Sequence, residues 1–283
     1  MADAEQPPRK SAGRRPPGDP VFLRRVLSAL VLGPVSLGLV VIGGHAFAIF
    51  IAAFAAAMAW EWVRMSDKAA PPRAFATATG TAVGAALLSA QDAHIWTIFW
   101  IVAGSVGVFA DRWPRGRAWE SLIGIAYVGA SVAILVCLRD GSDGGLKAIA
   151  FLLAVVWAAD TFAYLAGSWI GGPKLLPVAS PNKTWAGLVA GLVFGAMSGL
   201  LLADWVGLSW PIALALSVPT AMAAVVGDLL MSLAKRRFGV KDAGSLIPGH
   251  GGVLDRVDAL MLATVLAGII NAVSPGLWPG GAV

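Results

Sequence analysis

The segment Ser232–Asp258 reads SLAKRRFGVKDAGSLIPGHGGVLDRVD. It sets Lys235, Arg236, Arg237, Lys241 and Arg256 beside Asp242, Asp255 and Asp258, with Gly249, Gly251 and Gly252 around His250. Both flanks are apolar, Trp210 to Leu233 before it and Val257 to Val273 after it, each long enough to cross a bilayer. A polar stretch this dense between two spans is either a long solvated loop or a site for a charged substrate, and the spacing favours the site. If the preceding span is helical up to Ala234, then Asp228, Ser232 and Lys235 stand at i, i+4 and i+7 along one face. Asp255 and Asp258 stand at i and i+3 in the first turn of the next helix and share a face there. The Pro248-Gly-His-Gly-Gly turn before that helix is expected to offer backbone N–H groups and a positive dipole end to phosphate. Carboxylates from two helix ends, a ring of Lys and Arg and a Gly-rich turn suit a nucleotide held through a divalent cation.

Composition agrees with that frame. Of 283 residues 58% are apolar and 13% charged, against about 25% charged in a soluble domain. The chain is therefore an all-α polytopic membrane protein. Its single cysteine, Cys137, lies in an apolar run, which excludes an intrachain disulfide framework and a cysteine-cluster zinc site and reads as a buried thiol. The first 20 residues carry five prolines and Arg9, Lys10, Arg14 and Arg15, and are expected to be a disordered basic tail. Nothing beyond this tail points towards nucleic acid.

Nine spans can be laid out: Val21–Ile42, His45–Trp62, Ala74–Ala90, Ala93–Ala110, Trp119–Leu138, Lys147–Ile170, Thr184–Ala203, Trp210–Leu233 and Val257–Val273. The third is the weakest, being interrupted by Thr77, Thr79 and Thr81. Residues 21–138 then form an N-terminal set of five spans, and 147–283 a C-terminal catalytic set of four. With the N-terminus in the cytoplasm, all but Arg139 and Lys147 of the 21 Lys and Arg residues fall on the cytoplasmic side. The C-terminus is thus expected outside, and the polar segment at the cytoplasmic face of the cell membrane.

Charges inside spans are costly and usually face a protein cavity. Asp160, after the run FLLAVVWAA, and Asp228 therefore read as functional. Glu61, near the end of the second span, reads as structural, snorkelling or paired with Arg64 at i+3. Gly187, Gly191, Gly195 and Gly199 form a stripe for close packing within the chain or for a homodimer contact. Trp60, Trp62, Trp96, Trp119 and Trp210 read as interfacial anchors. Between the sixth and seventh spans, Ser180 and Pro181 read as the N-cap and first position of a helix, with Lys183 and Thr184 in its opening turn.

The run S-x-x-K-R-x4-K-D-x-G-x-x-I-P-x-H-G-G-x-x-D-R-x-D, from Ser232 through Asp258, resembles the signature of the phosphatidate cytidylyltransferases, also called CDP-diacylglycerol synthases. The stretch from Asp160 through Ser180-Pro181-x-Lys183-Thr184-Trp185-x-Gly187 resembles the same family, although Ala186 and Ser168 replace an acid and an arginine common there. Together the two stretches cover the chain from about Val156 onward.

The resemblance implies the reaction of CTP with phosphatidic acid to give CDP-diacylglycerol and pyrophosphate in phospholipid biosynthesis. It also implies Mg2+, with room for a second cation. On this reading Asp228 and Asp255 ligate the metal, and Asp160 and Asp258 support it. Lys183, Lys235, Arg236, Lys241 and Arg256 hold phosphates. Ser180, Thr184, Ser232, Asp242 and the His250-Gly251-Gly252 turn complete the substrate pocket. The diacyl chains are expected to remain among the membrane lipids. A transferase acting on another lipid phosphate or a polyprenol is the nearer alternative. A transporter would not need so many cations at one membrane face.

Overall fold

In hydrocarbon every backbone N–H and C=O must find its partner within the chain, so long apolar runs become helices. The computed structural model of the protein describes residues 20–114, 116–141, 144–247 and 251–280, with side chains from residue 30 onward. Nine helices occur among them, one for each expected span: α1 (Pro20–Ile42), α2 (Gly44–Ser66), α3 (Pro72–Ser89), α4 (His94–Arg112), α5 (Ala118–Asp140), α6 (Gly145–Trp169), α7 (Trp185–Val206), α8 (Trp210–Arg237) and α9 (Leu254–Val273). Seven of these, α2 and α4 to α9, are long and apolar enough to cross a membrane. The basic N-terminal tail lies outside the described residues.

The weak third span is explained by what its helix touches. Ala74, Ala78, Ala82, Ala85 and Ala86 of α3 are all fully buried, because α3 packs against α2, α4 and α5. Small side chains let those backbones approach, so α3 trades hydropathy for close packing. Helices α6 to α9 form a second group, and α9 also packs against α5 and α2. The polar segment is seated on the first group, since Ala243, Val253 and Leu254 join the core built by α2, α3 and α5.

One addition to the all-helical expectation lies between α6 and α7, where Lys174–Leu176 (β1) pairs antiparallel with Ser180–Thr184 (β2). Ser180 and Pro181 therefore begin a short strand, not a helix, which corrects that reading. Pro181 is tolerated because a two-stranded ribbon is all edge, so no ladder donor need be lost. The helix starts at Trp185, with Thr184 as its N-cap: the Thr184 hydroxyl accepts from the Gly187 N–H at 3.1 Å.

The glycine stripe of α7 is used within the chain. A Cβ at Gly187 would stand 2.7 Å from the Ala163 carbonyl oxygen, one at Gly191 2.9 Å from that of Ala159, and one at Gly195 2.9 Å from Ala221 of α8. Trp96, Trp119 and Trp210 are exposed, as anchors would be. Trp62 is not: it is buried and its indole N–H donates to the Glu120 carbonyl at 3.0 Å. Its partner is a backbone group 58 residues away, which local sequence does not announce. Cys137 is a free thiol, only partly buried.

Arg139 donates to the carbonyls of Val40 and Val41 at 2.5 and 2.8 Å, and the Gly44 N–H donates to Asp140 at 2.9 Å. These contacts, with Lys147 at the start of α6, lie at the end of the bundle opposite the α8 and α9 junction.

Replacing Gly191 by Val should overpack the α6–α7 contact and cost about 1–3 kcal/mol, read as a fall of several degrees in melting temperature of the detergent-solubilised protein. Gly38→Ala, where a Cβ meets nothing within 4 Å, should leave it unchanged. Equal melting temperatures for both would show that α7 does not pack as described.

Candidate active site

The last turns of α8 and the first turn of α9 meet at one end of the bundle. Because α8 remains helical through Arg237, Asp228, Ser232 and Lys235 do share a face, and the Ser232 hydroxyl donates to Asp228 at 3.3 Å. Lys235, nearly buried, crosses to α9 and donates to Asp255 at 2.8 Å, with Asp258 at 3.8 Å. The i, i+3 spacing of those two aspartates brings both carboxylates to one ammonium.

A second lysine–aspartate pair comes from the ribbon. Strand β2 directs Lys183 onto Asp228, 2.5 Å away, an approach that a helix start at Ser180 would not have provided. Asp160, in the C-terminal half of α6, lies within Coulombic range of both Asp228 and Lys183, and Asp258 within range of Asp228 and Asp160. Four of the predicted acids and two of the predicted lysines are thus brought together.

The N-terminus of α9 is engaged differently from expectation. The Gly251 N–H donates to the Ile247 carbonyl at 3.2 Å and the Gly252 N–H to Asp255 at 3.1 Å. Those of Val253 and Leu254 donate to Glu61 at 3.0 and 2.9 Å. The helix end is therefore capped by the protein's own carboxylates, and these four N–H groups are already spent. Asp255 also accepts from the Ala243 N–H at 2.9 Å, which pins the near side of the loop. Pro248, Gly249 and His250 lie outside the described residues.

Glu61 is the residue whose partners the sequence reading mistook. It is structural, but neither snorkels nor pairs with Arg64: it is fully buried, while Arg64 lies over the Trp60 ring, 5.0 Å from its centre. Gly252 and Gly244 border it, and a Cβ at Gly252 would stand 2.8 Å from one of its oxygens. The one sequence signal was a carboxylate inside an apolar run. Its partners lie 192 and 193 residues further along the chain.

The remaining predicted residues divide by exposure. Arg236, Lys241 and Asp242 are exposed, at the end of α8 and in the loop that follows it. Ser180 and Thr184 serve the ribbon and the α7 cap. Asp160 and Arg256 both line a cavity of about 230 Å3 that leads inward among apolar side chains.

Fold and site together define a polytopic membrane enzyme that gathers carboxylates and cations beside an apolar cavity. The model of the cytidylyltransferase family matches residues 23–273. A Brucella abortus protein named phosphatidate cytidylyltransferase is 40% identical over 254 residues, covering 88% of this chain and 93% of that one. Its namesake in Pseudomonas aeruginosa is 35% identical over 260 residues, covering 85% and 93%. A Staphylococcus saprophyticus protein of the same name is 41% identical over a shorter stretch of 152 residues, 53% of this chain and 57% of that one. The chain belongs to the cytidylyltransferase family and is a nucleotidyltransferase.

Glu61→Ala should strand the Val253 and Leu254 N–H groups at roughly 1–3 kcal/mol each, lowering the melting temperature and opening residues 243–247 to limited proteolysis. Glu61→Gln, which keeps one acceptor oxygen, should lose less. An alanine variant as stable and protease-resistant as the parent would refute this cap.

Proposed function

We propose that the protein transfers the cytidylyl group of CTP to phosphatidic acid, giving CDP-diacylglycerol and pyrophosphate. The observation that carries this reading is the convergence of Lys183–Asp228 and Lys235–Asp255, at 2.5 and 2.8 Å, beside the charged end of an apolar cavity. The names of the relatives supply the substrates.

The phosphatidate phosphate is largely ionised near neutral pH, so no strong base is needed. One of its oxygens bonds to the α-phosphorus of CTP while the bond from that phosphorus to the bridging oxygen breaks, and pyrophosphate leaves with the electron pair. The difficulty is bringing two anions together, and catalysis rests on positioning and charge neutralisation. Lys183 and Lys235 are held in place by aspartates and can turn to phosphate oxygens. Arg236 and Lys241 receive the triphosphate at the mouth, and Arg256 faces the lipid phosphate at the cavity end. Ser232 orients Asp228.

Asp228 and Asp255 would hold Mg2+, which when bound supplies further charge neutralisation on the triphosphate. Carboxylate oxygens are the hard donors this ion takes, and Asp160 and Asp258 add negative charge nearby; to bind it, Asp228 and Asp255 would release the ammonium groups of Lys183 and Lys235 to the substrate phosphates. Among the described residues no three His, Cys, Asp or Glu side chains form a ready-made cage. Mg2+ usually takes one or two carboxylates together with substrate phosphates and water, so this too is in keeping. The basic side chains at this end of the bundle support a cytoplasmic orientation for it, where CTP is available.

Pyrophosphate release by the purified protein in detergent should require CTP, phosphatidate and Mg2+ together, and should fall at least 100-fold in Asp228→Asn and in Asp255→Asn. If well-folded protein releases none with phosphatidate across several detergents, the acceptor is another lipid phosphate.

A further inference from the structure

Resting on the lipid acceptor proposed above, the geometry points to a binding site for one acyl chain inside the protein, in the cavity enclosed by α1, α2, α5, α6 and α9. One of the two chains of the lipid leaves the bilayer to occupy it.

The walls are hydrocarbon and aromatic, exemplified by Phe50, Phe54, Leu135, Leu153, Val156 and Met261. Three hydroxyls also line the space, and each is satisfied by its own helix. Ser36 donates to the Leu32 carbonyl at 2.6 Å, Ser131 to that of Tyr127 at 2.7 Å and Thr264 to that of Leu260 at 2.8 Å. The lining therefore asks no hydrogen bond of its occupant, and an apolar chain can fill it without stranding a polar group.

Charge is confined to one end. Asp160 and Arg256 are the charged residues of the lining; Asp160 lies within Coulombic range of Lys183, Asp228 and Asp258, and Arg256 follows Asp255 in the first turn of α9. Three helices agree on the direction. On α6 the lining runs from Ile149 to Asp160, on α2 from Phe47 to Met58, and on α9 from Thr264 back to Arg256. In each case the end nearer the active site is the end nearer charge. A space with a hydrocarbon body and one charged end is complementary to an amphiphile with an anionic head.

Size admits no more than one chain. From Ile149 to Asp160 the wall extends roughly 16 Å along α6 at 1.5 Å per residue. That is close to one leaflet of a hydrocarbon core about 30 Å thick. At about 230 Å3 the cavity is smaller than the roughly 300–1,000 Å3 that encloses a whole drug-sized ligand. The second chain then remains in the bilayer, and only one is measured by the protein.

The experiment has two arms. In the first, phosphatidate carrying a diazirine at the end of one acyl chain is photolysed with the unmodified protein in nanodiscs, and labelled peptides are identified. Label on the α5 segment around Leu135 and the α6 segment Ile149–Val156 is expected; label confined to the outer faces of α4 and α7 would overturn the site. In the second arm, Leu135→Trp and Leu153→Trp narrow the cavity, and the ratio of kcat/KM for dioleoyl over dihexanoyl phosphatidate is expected to fall at least tenfold. Val193→Phe, on the exposed side of α7, should leave that ratio unchanged. A ratio equal to wild type in both tryptophan variants would overturn the proposal while leaving cytidylyl transfer intact. Cavity labelling without turnover of any phosphatidate would do the reverse, keeping the acyl site and removing the reaction.

Discussion

A carboxylate withdrawn from water needs donors fixed around it, and in this protein Glu61 finds them at the N-terminus of α9. Removing a carboxylate from water costs several kcal/mol even after relaxation. Here the cost is offset by two backbone N–H groups at 3.0 and 2.9 Å and by the positive end of the α9 dipole. The arrangement excludes side chains nearby, which is why Gly252 and Gly244 border the carboxylate. One consequence is mechanical. With Val253 and Leu254 tied to α2, the next residue, Asp255, is held where it can accept from Ala243, Gly252 and Lys235 together. The catalytic loop is thereby referred to a helix from the other half of the chain.

Electrostatics follow from that placement. Asp160, Asp228, Asp255 and Asp258 share a partly enclosed space with Lys183 and Lys235, so carboxylate exceeds ammonium within the cluster. In surroundings of reduced dielectric such an excess is tolerated only if cations can approach. Arg236 and Lys241 are exposed in the segment between α8 and α9, and Arg256 lines the cavity, so further positive charge is available from the same end of the chain's polar segment.

Much of this was legible in the sequence, because it is local. Nine apolar runs became nine helices, and the i, i+4, i+7 face of Asp228, Ser232 and Lys235 formed as helical spacing requires. The i, i+3 pair Asp255 and Asp258 met one ammonium for the same reason. What escaped was either non-local or ambiguous in its local signal. Ser-Pro is a good helix opening, but it is also compatible with an edge strand, and only the pairing with Lys174–Leu176 decides between them. Glu61 had a plausible partner close in sequence and Trp62 a plausible place at the membrane interface, while their actual partners came from distant elements. The weak third span was weak for a reason that hydropathy does not record, namely the alanine face by which α3 packs against three other helices.

The capping of α9 bears on how phosphate is recognised. A helix N-terminus that points its N–H groups at a ligand forms a rigid cradle, and its specificity lies in backbone geometry. Here the N–H groups from Gly251 to Leu254 are committed to Ile247, Asp255 and Glu61. On the reaction proposed above, recognition then passes to the side chains of Lys183, Lys235, Arg236, Lys241 and Arg256. Lysine is a flexible point charge with three rotatable donors, so it can exchange a carboxylate for a phosphate oxygen as charge moves from one phosphate to the next. A rigid cradle would fit one charge distribution best, whereas the transfer proposed above needs the triphosphate, the attacking lipid phosphate and the departing pyrophosphate to be neutralised in turn. Spending the helix dipole on scaffolding, and leaving the substrates to mobile cations, reconciles a fixed loop with a changing charge.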